Sequence, residues 1–447
     1  MEKIAIIGAG LVGSLQAIIL AKKGYKVDVY ERRMDMRKAD ISAGRSINLA
    51  LSNRGWKAIE LAGITDEIMK MAIPMYGRMM HPIEGETFFQ QYGKDGEAIY
   101  SVSRGGLNQQ LMNSAEALEN VDFHFDMFCL DVDLETNEVE FLNTKTDEII
   151  KHKPDRIFAT DGAFSAIRSK LQKTDRFNYE QMYLEHGYKE LYIPATETGV
   201  YQIDKNALHI WPRGNYMLIA LANEDGSFTC TLFFPFEGEK SFESLKTKAD
   251  VQAFFSEIFP DAIALMPSLI DDYFTNPTSS LVTVRCSPWN HADKILMMGD
   301  ASHAIVPFYG QGMNSGFEDC SIFNEIFEKH NRNWNISFQE FSKTRKKDAD
   351  AISNLAIQNF VEMRDLVADE SFLLRKKIEK KIYKKHPQKW MPLYSQVTFS
   401  HIPYSEALAN GKRQEKIMDQ IMAKENIQQN WDTLEIEQEI LRLVDEK

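Results

Sequence analysis

The sequence predicts a mixed α/β fold, α+β when taken whole, and three observations carry that expectation. An apolar run, a glycine-rich turn, a helical stretch and a second apolar run follow one another at the N-terminus, the order of a βαβ unit. Several β-like runs cluster in the middle of the chain. From about Phe317 onward helical periodicity dominates, in NEIFEKH, DAISNLAIQNFVEMRDLV and RQEKIMDQIMAKEN.

In the first unit KIAIIG leads into GAGLVGS, then the helical SLQAIILAKKG, then KVDVYE, a Rossmann-like arrangement. From Pro74 to about Ser101 aromatic, glycine-containing sequence interrupts this pattern, and from about Arg104 the helical GGLNQQLMNSAEALE resumes it. Between about Tyr179 and Arg285 the runs ALHIWP, YMLIALAN and SFTCTLFFPFE read as strands of a separate antiparallel sheet, broken by the helical KADVQAFFSEIF. The expected organisation is a discontinuous nucleotide-binding domain (1–75, 102–178 and 285–330), an inserted substrate domain (76–101 and 179–284) and a helical C-terminal region (331–447). A chain of 447 residues is long enough for two or three domains.

Composition excludes several function classes. The net charge of −13 argues against a nucleic-acid partner, which needs clustered positive charge. The cysteines Cys129, Cys230, Cys286 and Cys320 lie far apart and suggest neither a disulfide framework nor a zinc site, so a reducing, cytoplasmic location is expected. There is no secretory signal pattern and no apolar run near the roughly 20 residues of a membrane span, so no membrane association is expected. The histidines show no metal-ligand spacing, and no nucleophile-and-base motif appears, so neither a metal nor a catalytic side chain is assigned; His303 is expected to be structural.

Gly8-x-Gly10-x-x-Gly13 sits between a strand and a helix, where glycines permit a tight turn and let backbone approach a pyrophosphate at the helix N-terminus. Glu31, 23 residues after Gly8, closes the next strand and suits ribose hydroxyls, favouring FAD or NAD over NADP at this loop. Two more motifs follow strand-like runs: Thr160-Asp161-Gly162-Ala163-x-Ser165-x-x-Arg168, and Gly299-Asp300-Ala301-Ser302-His303 with Pro307 and GQGMNSGFEDC behind it. Singly, each reads equally well as an ordinary strand-to-helix turn.

In this order and spacing the three motifs resemble the group A flavoprotein hydroxylases. The resemblance implies one tightly bound FAD, with NADPH as a cosubstrate that has no Rossmann domain of its own. Gly8, Gly10, Val12 and Gly13 are then expected in the cofactor loop, Glu31 and Arg33 at the adenosine half, Arg104 on the flavin side and Asp300 at the ribityl chain. Tyr30, Arg32, Ala50, Leu130 and Asp161 complete the implied set, and Pro307 to Asn314, with Gly312 and Met313, lie against the isoalloxazine. A helix starting near Asn314 would stabilise negative charge on reduced flavin.

Further stretches are similar to the kynurenine 3-monooxygenase family: RSINLALSNRG, IPMYGRMMH, SVSRGGLN, SFTCTLFFPFE, IVPFYGQGMNSGFEDC, NFVEMRD and PLYSQVTFSHIPY. The similarity spans nearly the whole chain and implies the bacterial form, without a membrane anchor. Arg78, Tyr92, Asn359 and Tyr394 match an amino-acid clamp, a guanidinium for a carboxylate with phenols and an amide as directed partners. Met217, Ile219 and Leu221 share one face of a strand and, with Leu208 and Phe233, offer an apolar wall; the resemblance adds Pro307, Phe308 and Met363, with Tyr309 in doubt as a polar contact. The implied reaction is hydroxylation of L-kynurenine to 3-hydroxy-L-kynurenine with NADPH and O2, through a flavin hydroperoxide. The residues themselves leave two alternatives open, another aromatic hydroxylase of the same flavin group and a flavoprotein that binds a ligand or partner without hydroxylating it.

Overall fold

The computed structural model describes residues 1–38, 48–84, 86–362 and 369–446. The strands Lys3–Ile7 and Lys26–Tyr30 bury nearly all their side chains, as strands do when both sheet faces are covered. They are parallel neighbours in a six-stranded sheet that runs, edge to edge, Asn290–His291, Ile295–Met297, Arg156–Ala159, Lys3–Ile7, Lys26–Tyr30, Val121–His124. Helix Leu11–Lys22 connects the two central strands. Its residues from Gly13 to Ala21 are all buried.

The middle runs form a seven-stranded sheet in the order Ser279–Ser287, Asn178–Ile193, Phe228–Pro235, Met217–Ala222, Ala207–Pro212, Gly77–Met80, Phe88–Gln91. The expected sheet was wholly antiparallel. One pairing departs from this: Gly77–Met80 runs parallel to Ala207–Pro212, with Arg78 opposite Leu208. The two strands lie far apart in sequence, so no hairpin turn fixes their relative direction. Alternation along the strands divides the sheet into two faces. Trp211, Leu218, Ala220, Leu232 and Phe234 pack beneath helices Lys248–Ile258, Pro260–Ile263 and Leu269–Thr275. Ile210, Met217 and Phe233 face the opposite way, toward Phe308, Tyr309 and the long helix Trp334–Val361.

The C-terminal segment is helical as expected, in Trp334–Val361, Glu370–Lys385, Leu393–Thr398, Tyr404–Met422 and Leu434–Asp445. Among the described residues no helix is long and apolar enough to cross a membrane.

A buried charge cluster joins these parts. Glu318 and Asp319, on helix Gly312–Lys329, are 5% and 0% exposed. Asp319 accepts from Arg345 Nε (2.7 Å), His303 Nε2 (2.6 Å) and the amide of Gly299 (2.9 Å). Burial works against its charge, but His303 and Arg345 outweigh it and hold the carboxyl below the usual range. Glu318 pairs with Arg345 Nη1 (2.8 Å) and with Arg54, whose guanidinium also donates to the carbonyls of Val397, Gln396 and Ile402. Removing one cation would strand a buried carboxylate. Arg345→Met is therefore expected to lower folding stability by about 3–5 kcal/mol in chemical denaturation, and a loss under about 1 kcal/mol would show that the cluster does not join these helices.

Candidate active site

The glycine loop has the geometry its sequence implies. Gly8 has φ +101°, and a Cβ there would lie 2.6 Å from the Thr160 carbonyl oxygen. On Gly13 it would lie 2.0 Å from the Gly8 carbonyl oxygen. At Gly10 it would meet nothing within 4 Å, so this glycine faces open space at the head of helix Leu11–Lys22. That helix has no side-chain cap and no acidic residue in its first turn, so its N–H groups and positive end are free for an anion. Thr160 donates its hydroxyl to the carbonyls of Ile7 (3.0 Å) and Gly8 (2.9 Å), tying the second motif to the first.

Glu31 stands at the mouth of the loop, 8% exposed, accepting from the Ala9 amide (3.0 Å) and from Arg33 Nε (2.9 Å). Arg32, Arg33 and Arg104 are exposed, Arg104 as the first residue of helix Arg104–Glu116. Leu130 is exposed on strand Met127–Val132. The ring of Tyr30 is sandwiched between His124 (4.7 Å) and Phe141 (4.2 Å), so it meets the loop through its carbonyl, which accepts from Gly8 N at 2.7 Å. Asp161 accepts from the Ala166 amide (2.7 Å) while its other oxygen is buried without a partner among the described residues, and burial raises its carboxyl above the usual range.

The third motif turns toward the same space. Asp300 is exposed at the start of the short helix Asp300–His303, and Val12 packs where a side chain on Gly299 or Gly316 would stand. After the 3-10 turn Pro307–Tyr309, helix Gly312–Lys329 begins without a side-chain cap or an acid in its first turn. Asn314 fastens that helix end: its amide donates to the carbonyls of Ala50 and Gly310 (both 2.8 Å), and its oxygen accepts from the Ser52 amide (2.8 Å). Met313 is buried beside it.

Three of the four clamp residues meet in one aromatic cage. Arg78 lies 5.0 Å from the Tyr394 ring and 5.6 Å from the Tyr92 ring, and these two rings stack at 5.1 Å. Arg78 Nε and the Tyr92 hydroxyl are buried without a hydrogen-bond partner among the described residues. Burial disfavours charge on Arg78, but the oxygens of Tyr394, Tyr92 and Glu362 outweigh it and raise the guanidinium pKa. Burial likewise raises the Tyr92 and Tyr394 phenols, which stay neutral. Tyr309 stacks on Tyr394 at 5.6 Å. Asn359 is differently engaged: its amide donates to the Phe308 carbonyl at 2.6 Å, holding the turn.

Leu208, Met217, Ile219 and Phe233 belong to the apolar cluster that holds Phe308 and Tyr394; Leu221 packs beside Tyr92. Phe308 lies 4.9 Å from Phe233. Pro307 is exposed, and Met363 lies outside the described residues. Two residues that the sequence alone does not single out join the cluster: Phe360, stacked on Phe308 at 4.0 Å, and Tyr404, whose hydroxyl donates to Gln311 Oε1 at 2.9 Å. Both stand inside motifs already noted, next to Asn359 and at the end of PLYSQVTFSHIPY, which was the signal available.

A glycine-loop βαβ unit and a buried aromatic cage at the edge of a second sheet define a flavoprotein of the hydroxylase fold. The family described as FAD binding domain matches residues 1–329. Among solved structures, the tetrameric form of 2-methyl-3-hydroxypyridine-5-carboxylic acid oxygenase superposes with a TM-score of 0.67 at 16% identity, over 88% of this chain and 98% of that one. The probable FAD-dependent monooxygenase PqsL of Pseudomonas aeruginosa superposes with a TM-score of 0.64 at 16% identity, over 81% and 97%. At such identities the likeness is one of fold.

The chain belongs to the kynurenine 3-monooxygenase family. It is 52% identical to the Flavobacterium psychrophilum kynurenine 3-monooxygenase over 100% of this chain and 99% of that protein. The Dictyostelium discoideum relative is 45% identical over 94% and 93%, and that of Sus scrofa 44% identical over 93% and 88%. FAD fits the residues present, since the open space at Gly10, the uncapped helix beyond it and Glu31 at its edge suit a pyrophosphate with its ribose.

Gly10→Val is expected to fold like the wild type, because nothing stands in its way, yet to purify colourless. Gly13→Val is expected to lower the thermal midpoint of the apoprotein as well, because its side chain would strike the Gly8 backbone. Visible absorbance and thermal unfolding separate the two, and a yellow, fully loaded Gly10→Val protein would contradict the loop assignment.

Proposed function

We propose that this protein is an FAD- and NADPH-dependent monooxygenase converting L-kynurenine, with O2 and a proton, to 3-hydroxy-L-kynurenine, water and NADP+. The observation that carries the reading is the Arg78–Tyr92–Tyr394 cage, buried beside the Pro307–Tyr309 turn, in a chain of this family. A charged guanidinium with an unpartnered Nε, next to an unpartnered phenol, fits the carboxylate of an amino acid. The neutral phenols donate to the same head group without adding a competing charge.

In this reading the chain divides into an FAD-binding domain (1–75, 102–178, 285–330), a substrate domain (76–101, 179–284) and a C-terminal helical region (331–447). Gly8, Gly10, Val12 and Gly13 hold the pyrophosphate, Glu31 with Arg32 and Arg33 the adenosine half, and Asp161, Asp300, Arg104 and the segment Gly312–Asn314 the flavin half. Bound FAD, reduced by NADPH, supplies the electrophilic oxygen drawn from O2. The protein's part is to position the ring and exclude water. Leu208, Met217, Ile219, Leu221, Phe233 and Phe308 form the apolar wall for the ring, with Pro307 and Met363 at its margin, and Asn359 keeps Phe308 in place. The aniline nitrogen donates its lone pair into the ring and activates the ortho carbon, so the substrate itself does what a general base would do for a phenol. The cysteines, buried and unpaired, suit a reducing cytoplasm.

Arg78→Ala removes charge-assisted hydrogen bonds worth about 1.5–3 kcal/mol, so KM for L-kynurenine is expected to rise roughly 10- to 100-fold with FAD content unchanged. Steady-state NADPH oxidation with mass spectrometry of the product checks this. Oxidation by the wild type that L-kynurenine does not stimulate would refute the substrate, and stimulation that yields only peroxide would make it an effector.

A further inference from the structure

A cavity of about 620 Å3 opens next to the substrate cage, and none of the residues assigned so far lines it. Its volume falls within the roughly 300–1,000 Å3 of sites that take small molecules. Trp56 and Tyr100 contribute two aromatic walls, meeting edge to face with ring centroids 5.3 Å apart, and Phe399 contributes a third. The charged side chains in its lining are two carboxylates, Glu60 and Glu97, with Glu60 exposed at the rim. The lysines nearest to this lining in sequence are engaged elsewhere: Lys57 pairs with Glu325 at 2.6 Å, and Lys94 lies 5.0 Å from the Tyr383 ring. Aromatic faces combined with negative charge suit a ligand that joins an aromatic ring to an ammonium group.

Phe399 borders the cage as well. Its ring centroid lies 6.4 Å from that of Tyr92 and 6.1 Å from that of Tyr394, and it packs in one apolar cluster with Tyr92, Leu208 and Ile219. Gly93, directly after Tyr92, leaves room for this contact: a Cβ there would lie 3.3 Å from Phe399 Cδ2 and 1.9 Å from Glu97 Oε2. Arg78 Nε and the Tyr92 hydroxyl are buried, so a ligand reaches them only by displacing a side chain. The backbone of Phe399 is fastened on both sides. Its amide donates to the Ser395 carbonyl at 2.9 Å, closing the helix Leu393–Thr398 that carries Tyr394, and its own carbonyl accepts from Asn53 Nδ2 at 3.1 Å. What stays free to move is the ring, about its side-chain torsions.

We propose that this cavity is an outer binding site for L-kynurenine, occupied before the cage, and that the Phe399 ring is the partition the substrate passes. The zwitterion carries the two features the lining recognises, an aromatic ring for Trp56 and Tyr100 and an ammonium group for Glu60 and Glu97. Its carboxylate, repelled by the same acids, is left for Arg78 on the far side of Phe399. The two sites thus present opposite charges to opposite ends of one head group. An aromatic acid that lacks the amine meets only like charge at the rim.

The inference rests on the proposed substrate, and rapid mixing of the FAD-loaded protein with L-kynurenine, followed by flavin absorbance in the absence of NADPH, separates the two. Capture in the cavity before passage makes the observed binding rate level off as concentration rises. Glu60→Gln, at an exposed position, is expected to raise the half-saturating concentration of that rate about two- to fivefold, with the equilibrium Kd within about twofold of wild type, because Glu60 touches the outer complex and not the final one. Phe399→Trp, which thickens the partition, is expected to slow entry and release alike by about tenfold, again with Kd within about twofold. A ring that only packs the cage would change Kd instead. A wild-type rate that stays proportional to concentration up to the solubility of the ligand, an unchanged half-saturation in Glu60→Gln, or a raised Kd without slower entry in Phe399→Trp would overturn the inference and leave the substrate standing. A wild type whose flavin spectrum and NADPH oxidation do not respond to L-kynurenine would refute the substrate, and the outer site with it.

Discussion

Two carboxylates side by side on a buried helix constrain most of this molecule. Glu318 and Asp319 cannot stay charged in an apolar interior unless cations reach them, and the two that do come from distant helices, Arg54 from Asn53–Ala62 and Arg345 from Trp334–Val361. Asp319 also takes His303 and the Gly299 amide, which fixes the Gly299-Asp300 segment at the start of helix Asp300–His303. Arg54 spends its remaining donors on carbonyls between Gln396 and Ile402, the stretch that follows Tyr394. Its guanidinium lies 3.9 Å from the Tyr404 ring, and Tyr404 in turn holds Gln311 at the head of helix Gly312–Lys329. One charge cluster thus ties the turn at Gly299 to the stretch that follows Tyr394.

The seven-stranded sheet solves a separate problem, which is how to place a buried guanidinium that forms no close ion pair among the described residues. Alternation puts Arg78 toward the cage, while the side-chain contacts at the end of its strand lie on the other face, beside helix Pro260–Ile263. The cage is therefore free to keep its hydrogen-bonding groups for a ligand. The cost is a short strand near the sheet edge whose position depends on a few side-chain links.

Much of this was legible in the sequence, and particular residues show why. Gly8 and Gly13 are demanded by contacts within the loop, while Gly10 borders open space, so two of the three glycines in the fingerprint have a local cause. The strands ALHIWP and SFTCTLFFPFE were readable for the same reason. The direction of Gly77–Met80 was not, because its partner strand is distant in sequence and no turn chemistry joins them. Nor was the partnership of Glu318 with Arg54, since a long-range ion pair leaves no spacing to read. The Tyr30 ring and the Asn359 amide show a subtler limit: family motifs say that a residue matters near a site, but the side chain can also serve a neighbouring core or turn.

The unpartnered groups in the cage have a further consequence for how such an enzyme works. A buried guanidinium whose Nε lacks a hydrogen bond is held at a free-energy disadvantage, and so is a buried phenol in the same state. In the function proposed above, an amino acid's carboxylate would relieve both at once. On that reading, part of the favourable energy would hold the attached aromatic ring against Phe233 and Phe308, which pack together in an apolar cluster. A ring of the same shape without the amino-acid tail would leave the cage unsatisfied. On the proposed reading, selection would act through the distant head group while the reacting carbon is packed and kept dry, which suits an oxygen transfer whose reactive species must be kept from water.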